Sequence, residues 1–347
     1  MRDKGLRVVC FGSSEGPGDR ARDNLQAAGY AVVPVDWDTR SLNPLSELAV
    51  LVRLQQLAWR ERPIMACSFT LKGNFLTSLI SRINGIPYMT NVSGLGEVFL
   101  NDTLVNRGLR QLYSFANAGA MRTFFQNPGD LATMQAEGLS TGHFTAILPG
   151  SGVDLNRFTY RPVKRPIRRF VLVARMMREK GIGEFIAAAR MAKAVRPELE
   201  FILVGPEDPS PQRAFPSEEI RANAAIVSWL GPVSDVIPHL HAADCFVLPS
   251  YTEGRPRSVL EAQSTGLPAI VSDVDGNRDA IEPGITGRLF QVRSPEALST
   301  MFLEMADMPA SEVARMSAAA RQRAANVLDE RFCIQPYLDA VEDLLKR

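Results

Sequence analysis

The chain has 347 residues, 46% of them hydrophobic, more than one core ordinarily supports and suited to two domains of comparable size. Its 39 Lys plus Arg stand against 38 Asp plus Glu, a net charge of +1, so no global field draws it to nucleic acid and any anion site must be local. Cys10, Cys67, Cys245 and Cys333 form no CxxC pair, which argues against a zinc ribbon or a disulfide scaffold and for a reduced, cytoplasmic compartment. No apolar run reaches the ~18 residues of a membrane span. The strand-like run Val8 to Phe11 is too brief for the core of a signal peptide. The expectation is a protein that is soluble or bound at a membrane surface.

In chain order, short apolar runs at Arg7 to Phe11, Ala31 to Val35, Ile64 to Ser68, Tyr88 to Val92, Thr123 to Gln126 and Thr145 to Leu148 alternate with helix-length amphipathic segments. After the polar, Pro-containing stretch Asn156 to Pro166 the rhythm restarts, with strands predicted at Phe170 to Ala174, Glu200 to Val204, Ala225 to Trp229, Cys245 to Pro249 and Ala269 to Ser272. These βαβ series predict an α/β protein of two Rossmann-like parallel-sheet domains, residues 1–163 and 164–328, facing a cleft. A last helix within 329–347 packs near their junction. Its apolar positions Phe332, Tyr337, Leu338, Val341, Leu344 and Leu345 predict one buried face. Open α/β sheets bind ligands outside the carboxyl ends of their strands, so functional residues are sought there.

The segment after the strand Cys245 to Pro249 carries two carboxylates eight positions apart, Glu253 and Glu261. Gly254 permits a tight turn, and Pro256 suits the first position of a helix, where its missing N–H costs nothing. Glu253 then lies on the loop and Glu261 on the helix, roughly 7 to 8 Å beyond Pro256 at ~1.5 Å rise per residue. The helix amides between them suit a diphosphate, and the carboxylates suit the vicinal hydroxyls of a ribose and a hexose. Two acidic residues alone also fit an ordinary solvated helix start. Arg175 and Lys180 flank the turn after the strand Phe170 to Ala174. They are either surface cations or a pair that neutralises a leaving diphosphate.

The wording Glu253-Gly254-Arg255-Pro256-Arg257-Ser258-Val259-Leu260-Glu261-Ala262 resembles the E-x7-E signature of retaining glycosyltransferases of family 4. The resemblance extends to Leu148 to Asp154, Val173-Ala174-Arg175 with Lys180-Gly181, Val204-Gly205-Pro206, Leu230-Gly231, and Ser272-Asp273 with Gly276 to Asp279. It implies the GT-B fold and a nucleotide-diphosphate sugar, UDP-linked, as donor and no cofactor. Glu253 would orient the donor sugar, Glu261 the ribose, and Arg175 and Lys180 the diphosphate. Gly205, Leu230 and Gly231 would border the base, and Gly254, Arg255, Pro256, Ser258 and Val259 would line the phosphate seat. Gly12, at the end of the first strand, is a further donor contact. Retention is expected without a side-chain nucleophile and without a metal. The Asp-x-Asp spacings at Asp36-Trp37-Asp38 and Asp273-Val274-Asp275 are read as incidental, and His143, His239 and His241 have no metal-ligand spacing.

On the acceptor side, Lys72-Gly73-Asn74 and Asn91-Val92-Ser93-Gly94-Leu95-Gly96 follow predicted strands. They resemble patterns in family members that extend undecaprenyl-diphosphate-linked sugars in bacterial surface-polysaccharide or glycan assembly. That implies a lipid-linked saccharide acceptor and work at the inner face of the cytoplasmic membrane, with Lys72, Asn74, Asn91, Ser93 and Gly94 on the acceptor side. The histidine that many relatives carry near Ser93 is absent. The segment Thr103 to Phe115 places Leu104, Leu109, Leu112 and Phe115 near one helical face, which fits either a membrane-surface helix or an ordinary core-facing one. The implied activity is transfer of a hexose or N-acetylhexosamine. The alternatives are a nucleotide-sugar epimerase or sugar phosphorylase of the same fold, or a non-catalytic nucleotide-sugar-binding partner.

Overall fold

The computed structural model describes residues 5–12, 17–35, 44–95, 99 and 102–346. In the N-terminal half, β1 (Val9–Gly12), α1 (Pro17–Ala27), β2 (Ala31–Pro34), α2 (Pro44–Glu61), β3 (Ala66–Phe69), α3 (Leu71–Asn84), β4 (Tyr88–Val92), α4 (Leu104–Ala118), β5 (Arg122–Phe125), α5 (Pro128–Ala136) and β6 (Thr145–Ile147) follow in turn. The C-terminal half runs β7 (Arg169–Val173), α6 (Ile182–Val195), β8 (Glu200–Val204), α7 (Ser217–Ala222), β9 (Ser228–Trp229), α8 (Ile237–Ala242), β10 (Cys245–Leu248), α9 (Arg257–Thr265), β11 (Ala269–Ser272), α10 (Asp275–Ala280), β12 (Gly287–Phe290), α11 (Pro295–Ala306), α12 (Ala310–Arg323) and α13 (Glu330–Leu345).

Every pairing between these strands is parallel. The C-terminal sheet has the order β12-β11-β10-β7-β8-β9, so the chain direction across the sheet reverses between β7 and β10. That reversal is the switch point at which open sheets form a crevice. The N-terminal strands divide into a four-stranded sheet, β3-β4-β5-β6, and a separate pair, β1-β2. Side chains join the pair to the rest, with Phe11 and Val35 clustering with Val50 and Leu54 of α2 and Leu76 and Ile80 of α3.

Several expectations are corrected in detail. β12 is an additional strand with no β-branched residue to announce it, formed because its backbone pairs with β11 from Gly287 to Phe290. The strand expected over Ala225 to Trp229 shrinks to Ser228–Trp229, since the N–H groups of Ile226 and Val227 are taken by the Asn223 carbonyl in a turn. Pro256 is the N-cap of α9 and not its first residue. Its ψ of 115° is extended while its carbonyl already accepts from Val259 and Leu260. The stretch before β7 is no exposed linker, because Val153, Phe158, Val163 and Ile167 are buried in the C-terminal core. In α13 the buried line is Cys333, Ala340 and Val341 with Tyr337 packed beside it, while Phe332 and Leu345 fall off that line and are exposed. The helix returns to the N-terminal sheet, where Tyr337 lies 4.3 Å from the Phe124 ring and Arg122 pairs with Asp343 at 2.6 Å.

Candidate active site

Two loops leave the C-terminal sheet at its switch point, one from β7 and one from β10, and backbone bonds tie them together. The β7 loop closes a short 3-10 turn over Arg178–Lys180, ended by Gly181 at φ 71°. A side chain at Gly181 would meet the Pro249 carbonyl oxygen at 2.2 Å, so only glycine lets the turn rest on the exit of β10. The Tyr251 N–H then donates to the Glu179 carbonyl (2.9 Å), and the Tyr251 hydroxyl donates to Glu184 (2.6 Å). The consequence is that Lys180 Nζ lies 2.6 Å from Glu253 Oε1, two side chains 73 positions apart in sequence. Both retain some exposure, 24% and 11%.

Arg175 is held differently. Its guanidinium, 41% exposed, donates to the fully buried Asp208 carboxylate at 2.7 Å. Asp208 follows β8 in the run Gly205-Pro206-Glu207-Asp208 and escaped sequence reading, although an acid just after a strand end was the available signal. Below the Glu253 loop, Asn277 of α10 donates to Ser250 (3.2 Å) and Ser272 (2.8 Å), and the Ser272 hydroxyl donates to the Ser250 carbonyl. Gly276 presses on the loop as well, since a Cβ there would meet the Glu253 carbonyl oxygen at 2.2 Å.

The start of α9 is open to an anion. The amides of Gly254, Arg255, Arg257 and Ser258 have no protein acceptor among the described residues, and a helix N-terminus favours negative charge. Arg255 itself does not line that seat with its side chain. Its stem packs against Gly150, and its guanidinium lies 3.8 Å from Asp279. Val259 is fully buried in the core, so its side chain serves packing, and Ser258 is half-buried. Glu261 sits one turn along, bonded to Arg257 at 3.0 Å. Burial pushes its carboxyl above the usual range and Arg257 opposes that shift.

Gly205 and Gly231 come together. The Gly205 N–H donates to the Gly231 carbonyl (2.9 Å) and the Trp229 indole to the Gly205 carbonyl (3.0 Å). At φ 140°, with the Ala174 carbonyl oxygen 1.9 Å from where a Cβ would be, Gly205 admits no side chain. Leu230 beside them is half exposed.

From the N-terminal half, Ser93 and Gly94 reach the Glu253–Gly254 loop directly. A Cβ on Gly254 would lie 2.0 Å from the Ser93 carbonyl oxygen. Asn91 donates to the Tyr337 hydroxyl at 2.7 Å, and Asn74, fully buried, donates to the Asn91 carbonyl at 2.8 Å, so the pair braces β4. Lys72 pairs with Glu47 of α2 at 2.5 Å. Gly12 accepts from the Val35 N–H, and no contact among the described residues links it to the Glu253 loop. The cross-cleft partner that sequence reading missed is Asn127, which donates to the Gly254 carbonyl at 2.7 Å. Next to it, burial pushes the Asp130 carboxyl up to about 6; Asn127 opposes the shift, and Asp275 of α10 adds to it. Of the Asp-x-Asp spacings, Asp273 and Asp275 are both ion-paired with Arg278, whereas Asp36 to Asp38 lie outside the described residues, as do Gly96 and Ser13 to Gly16.

Comparison with known proteins agrees with this geometry. Residues 167–307 match the family described as glycosyl transferases group 1. The chain is 28% identical to the N,N'-diacetylbacillosaminyl-diphospho-undecaprenol alpha-1,3-N-acetylgalactosaminyltransferase of Campylobacter jejuni, over 95% of this chain and 90% of that one. It is 23% identical to the UDP-Gal:alpha-D-GlcNAc-diphosphoundecaprenol alpha-1,3-galactosyltransferase of Escherichia coli, over 88% and 81%. Among solved structures, Anabaena HepE in complex with UDP superposes with a TM-score of 0.78 at 17% identity, covering 97% of this chain and all of that one. Sucrose-phosphate synthase from Thermosynechococcus elongatus gives 0.79 at 18% identity over 99% and 100%. The β7 to β12 sheet with its switch-point pair lies within the matched region, so residues 167–307 form a glycosyl transferases group 1 domain in a chain of GT-B fold.

Proposed function

We propose that the protein transfers a hexose or N-acetylhexosamine from a UDP-sugar, with retention and without a metal, to a saccharide carried on undecaprenyl diphosphate during polysaccharide or glycan assembly. The observation that carries this reading is the meeting of Lys180 and Glu253 at the switch point, beside α9 amides that have no protein acceptor among the described residues. In this reading the donor diphosphate takes the α9 amides and Lys180, which releases the Glu253 carboxylate to accept from sugar hydroxyls. Arg175, fixed by Asp208, stands at the phosphate whose charge grows as the C–O bond breaks. Glu261 accepts from the ribose, and the donor phosphate receives the acceptor proton. The lipid acceptor is supported by the relatives named above, and the approach of Ser93 and Gly94 to Gly254 supports a site shared by both halves.

A lipid-linked acceptor requires work at the inner face of a membrane. No helix among the described residues is long and apolar enough to cross one. Of the two uses weighed for α4, its second half faces the core through Tyr113, Ala116 and Asn117, while Leu104 and Val105 at its start and Phe115, which packs against Phe75 and Arg82, are exposed. A longer surface supports the peripheral reading. The outward face of α2 carries exposed Leu45, Leu48, Val52 and Trp59, while its acids turn away, Glu47 to Lys72 and Glu61 to Arg7.

The deciding experiment is a screen of UDP-, GDP- and ADP-sugars with undecaprenyl-diphosphate-linked acceptors, following nucleotide release and product mass. Transfer from a UDP-sugar with retained configuration is the expected outcome. Tight UDP binding without release from any donor would favour the non-catalytic binding partner. For the membrane part, flotation with phosphatidylglycerol vesicles should carry the wild type and not Leu48→Glu/Trp59→Glu; a wild type that stays at the bottom removes it.

A further inference from the structure

Asn127 is the N-cap of α5, and its carboxamide oxygen accepts from the Asp130 N–H at 2.7 Å. Capping needs only that oxygen, and Ser or Asp supplies one equally well. The nitrogen is what an asparagine adds, and here it is spent on Asp130 Oδ2 (2.9 Å) and on the Gly254 carbonyl (2.7 Å) across the cleft. Asn127 is fully buried. The carbonyl it meets is enclosed too, since a Cβ on Gly276 would lie 2.5 Å from that oxygen and the Ser93–Gly94 backbone covers the Gly254 Cα. Water cannot readily replace the amide there, and an enclosed carbonyl without a donor is disfavoured.

We propose that Asn127 is a positioning residue for sugar transfer, fastening the Glu253–Gly254 loop of the donor half to the N-terminal half. This rests on the reading of Glu253 as the carboxylate that orients the donor sugar. A trans peptide points its N–H opposite its C=O. Holding the Gly254 carbonyl toward Asn127 therefore aims the Arg255 N–H, which has no protein acceptor among the described residues, back toward the donor half. The same bond fixes the side on which Ser93 and Gly94 approach. Donor seat and acceptor wall are thus registered through one side chain that belongs to neither motif.

Asn127→Ser keeps a capping oxygen and Asn127→Asp keeps both cap and size, yet neither offers an N–H to Gly254. With the UDP-sugar that supports wild-type transfer, kcat should fall about 10- to 100-fold in both variants at pH 8, because misplacement alone costs that much. UDP affinity by titration calorimetry should stay within about three-fold, as the Arg257 and Ser258 amides and Lys180 are untouched. The Asn127→Asp to wild-type activity ratio should climb as pH falls from about 8 to 5.5, since a protonated carboxyl regains a donor, and the climb should persist when Asp130→Asn removes the neighbouring acid from both chains. Transfer within about three-fold of wild type in both variants, or UDP affinity falling in step with kcat, overturns the proposal. If Asn127→Ser does not fold, Asn127→Asp decides by the same measurements, and a flat pH ratio counts against it. Hydrogen exchange over residues 250–260 reads the bond without catalysis and should quicken in either variant. Unchanged exchange overturns the proposal even if no donor is turned over, whereas a wild type inactive with every donor is a failure of the functional reading alone.

Discussion

The two halves of the molecule solve the same architectural problem with different economy. The C-terminal half has one contiguous core, centred on Phe170, Phe185, Phe201 and Phe302, whose rings lie 4.7 to 5.9 Å apart. Among the described residues the N-terminal half has three small clusters, and one of them, around Met89, Phe124 and Leu148, is closed by Ala340 and Tyr337 from the far end of the chain. The C-terminal half therefore completes itself with neighbours in sequence. The N-terminal half depends on a helix that folds back some two hundred residues later, and that helix also places the Tyr337 hydroxyl on Asn91.

That contrast can be broken by mutation. Phe302→Ala should cost about 3–5 kcal/mol in chemical denaturation, and Leu54→Ala, in a small cluster, about 2 kcal/mol; equal costs would erase the distinction. Lys180→Ala or Glu253→Gln should lower kcat about 10²- to 10³-fold with the melting temperature held, which steady-state kinetics beside a thermal scan will test. Near-normal turnover would remove the pair from the mechanism.

At the seam between the halves, Asp130 sharpens the comparison through pH. An acid whose folded pKa is raised binds protons more tightly when folded, so its ionisation costs stability as pH rises from about 4 to about 6 and the full cost persists above. Asp130→Asn removes that cost. It should gain up to about 3 kcal/mol at pH 7 to 8 and nothing below about pH 4, read from denaturation midpoints. A gain that appears only in acid would contradict the sign. Smaller effects belong to the returning helix. Tyr337→Phe removes the acceptor for Asn91 and should cost about 1 kcal/mol. Arg122→Ala, whose partner Asp343 is exposed, should cost under about 1 kcal/mol.

The C-terminal half was legible because its motif is local. Glu253, Gly254 and Glu261 stand within one strand-turn-helix, and the alternation of apolar runs located β7, β8, β10 and β11 to within a residue or so. β12 and the true extent of β9 were not legible, since Gly287–Phe290 lacks β propensity and the Asn223 turn competes for the amides that a longer β9 would need. Around the site, Asp208 and Asn127 were missed for a common reason. Each is an unremarkable polar residue near a strand end, and its importance lies in a partner 33 or 127 positions away.

By itself the sequence determined the α/β rhythm and the identity of the switch-point residues, because periodicity and turn chemistry act over a few residues. Only the tertiary structure decided that Lys180 meets Glu253, that Arg255 turns its side chain from the anion seat, and that Asn127 joins the halves through Gly254. Those outcomes depend on which backbones can approach closely. Gly181, Gly254 and Gly276 allow that approach, but which surface each of them meets depends on the packing of the whole chain.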